Sequence, residues 1–372
     1  MPVPLPDESL LSWLDHLSTV YGVNRTIAAQ ACGATRSHDN GVRVSASSAQ
    51  SVVFGMGDDD VRRIRAATGL MPAAVRRMTW TRFAGSALPE KVRTAAGADN
   101  YRTVKSSWID PGELRFCPQC LDERGGRWPL AWSTPWVFAC LRHQCYLLPG
   151  CPVCRRTVRA GEIDLANGAC RGSVRDPVRR EVRPCAVPYR DMAAPLLRDP
   201  LLTNLQERLD GYLADLEPCP DTTRADLSDL AAMADLALFL ATPDHLSGAD
   251  LVVLERFAAF SRRYSAASGR LMPRKDRDAP EMFVRTACLR VAAQVVFSKD
   301  PWSAALELAD FASRPLIRPV RLLHQSWIKR PPQNTTARLS RIVSAVCAPT
   351  STGEGRKAST GVDQRAPGQT PC

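Results

Sequence analysis

Cys117-Pro118-Gln119-Cys120 and, after nineteen intervening residues, Cys140-Leu141-Arg142-His143 make a C-x2-C-x19-C-x2-H series. A CxxC turn holds two thiolates one Zn–S bond length from a shared ion, and a tetrahedron then needs two more donors. Cys140 and His143 supply them, so the spacing predicts a Cys3His site of zinc-ribbon type. A second CPxC turn follows at Cys151-Pro152-Val153-Cys154, with Cys170 and Cys185 downstream in a C-x2-C-x15-C-x14-C series. Four protein donors close a site, so two structural Zn²⁺ ions are expected and neither is catalytic. Cys145 could compete as a ligand from two residues past His143. It is expected instead to pack as a small apolar residue, because Tyr146-Leu147-Leu148 continues an apolar strand. A redox role for either CxxC needs a thioredoxin-like βαβ pattern, and none surrounds them.

The rest of the chain fits around this centre. Its 372 residues are 45% hydrophobic and 23% charged, enough for two or three domains with their own cores. Eight of the 13 Cys lie between positions 117 and 185. No apolar run approaches bilayer length, and the N-terminus lacks a basic segment followed by an apolar one. A cytoplasmic protein without membrane partners is expected, its thiols kept reduced and free for metal. The formal net charge is +11, and only six of the 49 basic residues are Lys. Arg favours bidentate phosphate contacts, although a GC-rich genome also raises Arg usage. Nucleic acid is therefore the first partner to consider.

By region the net charge is +2 over 1–100, +7 over 101–190, −9 over 191–260 and +11 over 261–372. The chain is expected to be mainly α and multidomain. Residues 1–100 form a helix-turn-helix-like region, and 101–190 a double zinc-binding region of zinc-ribbon or zinc-finger modules with short strands. Residues 191–348 form a C-terminal helical domain, and 349–372 a disordered tail. Leu10, Leu11, Leu14, Leu17 and Val20 keep a 3.6 period that Gly22 stops, and Asn24 caps a helix to Cys32. A second pair is read at Asp58–Thr68, stopped by Gly69, and Pro72–Met78. Ser45–Gly57 between the pairs is rich in Ser and Gly without a clear period. C-terminal helices are expected at Leu201–Leu216, Arg224–Ala241, Ser247–Ala267, Glu281–Ser298, Trp302–Ala312 and Asn334–Val346. If the Arg25–Cys32 helix reads a major groove, Asn24, Arg25, Thr26 and Gln30 face the bases. Arg175, Arg179, Arg180 and Arg183 make the better phosphate-binding group, whereas Arg62, Arg63 and Arg65 read as a solvated helix face beside Asp58, Asp59 and Asp60.

Enzyme signatures are missing from the sequence. It has no HExxH, no H-x-E paired with P-C-x-x-C, no Walker A, no GxSxG and no GxGxxG. The remaining His are scattered singly, so no catalytic residue and no organic cofactor is expected.

Several ordered motifs resemble the TniQ family. They are Pro4-Leu5-Pro6-Asp7-Glu8-Ser9-Leu10-Leu11-Ser12-Trp13-Leu14, Thr68-Gly69-Leu70 with Met78-Thr79-Trp80, and Arg115-Phe116-Cys117-Pro118-Gln119-Cys120-Leu121. Trp128-Pro129-Leu130-Ala131-Trp132, Trp136 to His143, Leu147-Leu148 and Cys151 to Cys154 continue the resemblance to about residue 160. It implies a non-catalytic transposition protein with an N-terminal helix-turn-helix region, zinc modules and further helices. Implied partners are target DNA, a DDE transposase and an AAA+ ATPase regulator, with some relatives riding on CRISPR guide-RNA complexes. It is also compatible with a homodimer. The family's metal ligands carry over to Cys117, Cys120, Cys140 and His143, then to Cys151 and Cys154, and less closely to Cys170 and Cys185. Family members usually have a Gly or small residue after the ligand His, where this chain has Gln144-Cys145. The alternative reading is a zinc-ribbon or helix-turn-helix transcriptional regulator that binds DNA alone.

Overall fold

The computed structural model describes residues 1–35, 56–88, 113–159, 168–175, 181–214, 220–264, 280–300, 303–304, 307 and 336–341. Helix α1 (Leu10–Tyr21) starts where Ser9 Oγ accepts the Ser12 N–H, and it ends at Gly22 with φ of +63°. Its Leu10, Trp13, Leu14 and Leu17 are buried, the stripe its period requires. Asn24 Oδ1 accepts the Ile27 N–H at 2.9 Å and opens α2 (Arg25–Ala31). Helix α3 (Asp58–Thr68) places Asp58, Asp59 and Asp60 in its first turn, where the helix dipole favours them. It closes at Gly69, and α4 (Pro72–Arg77) begins on a proline. Gly33 lets the end of α2 touch α3, because a Cβ there would sit 2.9 Å from the Arg63 carbonyl oxygen.

The N-terminal helices close onto the cysteine-rich segment. Ser9 N–H donates to the Trp128 carbonyl at 2.9 Å, and Leu130 N–H donates to that of Asp7 at 2.8 Å. Glu8 is fully buried between them. Its carboxylate accepts from Leu5 N–H at 3.0 Å, Ser12 Oγ at 2.8 Å and both Arg127 Nε, at 2.9 Å, and Arg127 Nη2. Ser12 Oγ also accepts the Trp128 N–H at 2.8 Å, so one polar network runs through the wall of an apolar core. Behind it Phe116, Trp128, Trp132 and Tyr189 pack edge to face at centroid distances of 5.3–6.3 Å. The Arg115 guanidinium is buried too and donates to the carbonyls of Thr134 and, at 3.1 Å, Val137.

Three two-stranded antiparallel ladders frame the cysteines. They pair β1 (Glu113–Leu114) with β4 (Val158–Arg159), β2 (Ala139–Cys140) with β3 (Cys145–Tyr146), and β5 (Ser173–Arg175) with β6 (Val182–Pro184). The first CPxC turn opens a short helix, α5 (Pro118–Glu123), since Pro118 pre-sets the first-turn backbone.

The C-terminal part is a helical bundle of α6 (Pro200–Leu213), α7 (Asp221–Leu240), α8 (Leu251–Arg263) and α9 (Met282–Val296). Helix α7 starts three residues before the expected Arg224, because Pro220 serves as its N-cap. Helix α8 starts later than the expected Ser247. Pro243–Leu246 forms its own 3-10 turn, and Gly248 at φ of +77° separates the two. All of α9 except Gln294 is buried, and it packs against the other three helices. It carries Arg290, whose Nε lies 2.6 Å from Asp199 Oδ2 in a pair almost closed to solvent.

The bundle also grips the β2–β3 ladder. Gln206 Oε1 accepts the Phe138 and Ala139 N–H groups at 2.9 and 3.1 Å. Tyr146 N–H donates to the Pro195 carbonyl, and Leu197 N–H to that of Gln144. Tyr146 Oη donates to Asp250 Oδ2 at 2.8 Å. The structure is thus mainly helical with few short strands. No described helix is long and apolar enough to cross a membrane. The expected 349–372 tail, most of the Trp302–Ala312 helix and nearly all of Ser45–Gly57 lie outside the described residues. Residues 337–341 of the expected Asn334–Val346 helix are helical.

Candidate metal centres

The first CPxC turn and the β2–β3 hairpin bring Cys117, Cys120, Cys140 and His143 together, with all donor atoms within 4.8 Å of one another. Cys120 and Cys140 sulfurs lie 3.6 Å apart, and His143 Nδ1 is 3.4, 3.2 and 3.5 Å from the sulfurs of Cys117, Cys120 and Cys140. A tetrahedron built on Zn–S of about 2.3 Å and Zn–N of about 2.0 Å has S···S edges of about 3.8 Å and S···N edges of about 3.5 Å. The cluster has those edges, so its donors fit a four-coordinate ion. Hydrogen bonding within the cluster divides the thiols. Cys120 S–H holds Cys117 down to about 7, and Cys117 likewise holds Cys140 low, while Cys120 and Cys145 are pushed up by their bonds to Cys117.

His143 turns Nδ1 inward, and its Nε2 lies 3.2 Å from Glu123 Oε1. That arrangement fixes the tautomer and ring plane of a metal-binding imidazole. Glu123 escaped the sequence reading. Its signal was the spacing Cys120 to Glu123, three apart on α5 and so on one helix face.

The second cluster unites Cys151, Cys154, Cys170 and Cys185, again within 4.8 Å. Sulfur pairs lie 3.7 Å apart for Cys151–Cys185 and 3.5 Å for Cys154–Cys170, the same tetrahedral edges. Gly172 N–H donates to Cys170 Sγ at 3.3 Å, and a Cβ at Gly172 would overlap Cys154 Sγ. Two clusters that could hold metal ions are therefore present, and their donor chemistry is consistent with zinc.

Backbone strain follows the donors. Among the described residues the non-glycine positions with positive φ are Gln144 (+47°), Arg155 (+59°) and Ala186 (+49°). They directly follow His143, Cys154 and Cys185. A left-handed residue there turns the chain back, and the amides of Arg155 and Ala186 donate to the carbonyls of Cys151 and Cys170 at 2.8 and 3.1 Å.

Cys145 is buried in β3, as an apolar residue would be, yet its sulfur lies 3.7 Å from Cys117 Sγ. The residues considered for nucleic acid are scattered. Asn24 is occupied as a cap, Arg25 is paired with Asp15, Thr26 is half-buried and Gln30 is exposed. Arg175 and Arg183 are exposed, but the β5–β6 register sets them on opposite faces of the hairpin. Arg179 and Arg180 lie outside the described residues.

A family model named TniQ matches residues 1–147, from the N-terminal segment through both helix pairs and the first cluster. Residues 1–147 are thus similar to the TniQ family. TniQ proteins are transposition accessory proteins, and the TniQ segment here ends one residue past the β2–β3 ladder. No curated protein matches the chain.

Proposed function

We propose that the chain is a non-catalytic accessory protein of transposition. It binds target DNA or a nucleic-acid-guided targeting complex and recruits an AAA+ ATPase and a DDE transposase. The observation that carries this reading is the TniQ match over residues 1–147, which includes the first metal cluster. With four protein donors at each cluster, a Zn²⁺ ion there has no open position for water. It supplies folding free energy, about 10 kcal/mol or more per site in modules of this kind. Phosphate contact is assigned to the second metal loop through Arg175, Arg179, Arg180 and Arg183, and base contact to the exposed edge of α2 around Gln30.

The test mixes the purified full chain with an AAA+ transposition ATPase from the same genome and a DNA duplex. Retention of the ATPase on DNA should depend on this chain. Each phosphate contact contributes about 0.9 to the log–log salt dependence, so Arg183→Ala, on one face of the β5–β6 hairpin, should lower that slope by about 1. Tight, sequence-specific binding by the chain alone, with no ATPase association, would favour the lone regulator and defeat the proposal.

A further inference from the structure

A fifth thiol, Cys145, borders the four donors of the first cluster. Cys145 Sγ lies 3.7 Å from Cys117 Sγ, the edge length of a four-coordinate thiolate site. The β2–β3 register sets Cys145 directly opposite Cys140. Cys145 is 1% exposed and cannot leave the core, because β3 is held by Cys140 on one side and by a bridge to Leu196 on the other. His143 is the donor nearest solvent, with 17% of its side chain exposed. Its orienting partner Glu123 is a surface carboxylate that Arg142 also engages, at 3.0 Å.

We propose that Cys145 is a reserve ligand of the first centre. When His143 Nδ1 is displaced, Cys145 Sγ takes the fourth position. The bond to the imidazole nitrogen breaks and His143 leaves as a neutral ring. The Cys145 thiol gives its proton to solvent as the sulfur–metal bond forms, so the donor set changes from three sulfurs and one nitrogen to four sulfurs. A partner that engages the exposed Glu123–His143 edge can then rearrange it without releasing the ion. This rests on the zinc reading above.

Metal analysis of the full chain and its variants tests it. The natural chain should hold two zinc ions. His143→Ala and Cys145→Ala should each also hold two, and His143→Ala/Cys145→Ala one. His143→Ala/Cys145→Val keeps the apolar volume and should again hold one, which separates loss of the thiol from loss of packing. With cobalt in place of zinc, the thiolate charge-transfer absorption of His143→Ala should rise from seven thiolates' worth per chain to eight. Fewer than two ions in the natural chain would defeat the zinc reading itself. Two ions there but one in His143→Ala would overturn the reserve-ligand proposal, as would two ions in both double variants.

Discussion

Arg127→Met tests the network that fastens the N-terminal helices to the cysteine-rich segment. Glu8 is fully buried, and Arg127, with 12% of its side chain exposed, supplies two of the four donors to its carboxylate. Met keeps the apolar stem but removes the charge and both donors, along with the Arg127 Nη2 bond to the Val3 carbonyl. A buried carboxylate then keeps only Leu5 N–H and Ser12 Oγ. Breaking a buried pair from one side costs about 3–5 kcal/mol. Against a total stability of about 5–15 kcal/mol, that should move the urea midpoint down by about 1–2 M. Trp13 and Trp128 are buried beside the network, so tryptophan fluorescence reads the transition. Adding Glu8→Gln to Arg127→Met should recover at least about 2 kcal/mol, because a neutral amide needs no counter-charge. A loss under about 1 kcal/mol for Arg127→Met, or a double variant worse than the single, would refute the reasoning.

Arg155→Gly should be neutral or stabilising by up to about 1 kcal/mol and Arg155→Val destabilising by about 1–2 kcal/mol, read by the same titration, since only Gly accepts the left-handed turn freely. Gly172→Ala should lower the metal content by one ion per chain, because its Cβ overlaps Cys154 Sγ; an unchanged metal count would contradict the packing. Glu123→Gln should weaken metal binding at the first centre by about 10–100-fold in a chelator competition, leaving the second centre unaffected. Burial foremost, with Arg127 nearby, lowers the His16 pKa, so the unfolded chain binds that proton more readily. The stability His16 contributes is complete above about pH 6.5 and falls as pH drops through its folded value, and His16→Gln should flatten that slope between pH 7 and 5.

The metal donors were legible in the sequence because a tetrahedral site fixes short spacings that few other structures require. The helix ends were legible for a similar local reason, as Gly22, Gly69 and Asn24 do their work within one turn. Long-range partners left no such mark. Nothing in the sequence near Gln206 shows that its amide closes the edge of β2, sixty-odd residues away. Helix α9 carries Arg285 and Arg290, which argue for an exposed face, but Asp199 and backbone carbonyls receive them inside the bundle. The distance of Cys145 from Cys117 depends on how the hairpin folds over α5, which spacing alone does not encode. The pairing of Arg25 with Asp15 was hidden likewise, since it joins two helices through their crossing.

The seam at residue 147 has a consequence for how this protein exchanges parts with its relatives. The family-matched segment stops there, but the amides of Phe138, Ala139 and Tyr146 are satisfied only by Gln206 and Pro195. A recombination event that joined this N-terminal segment to a foreign C-terminal half would strand three buried donors, each costing about 1–3 kcal/mol. Successful hybrids should therefore inherit residues 195–206 together with the first 147, and the heritable unit is longer than the recognisable one.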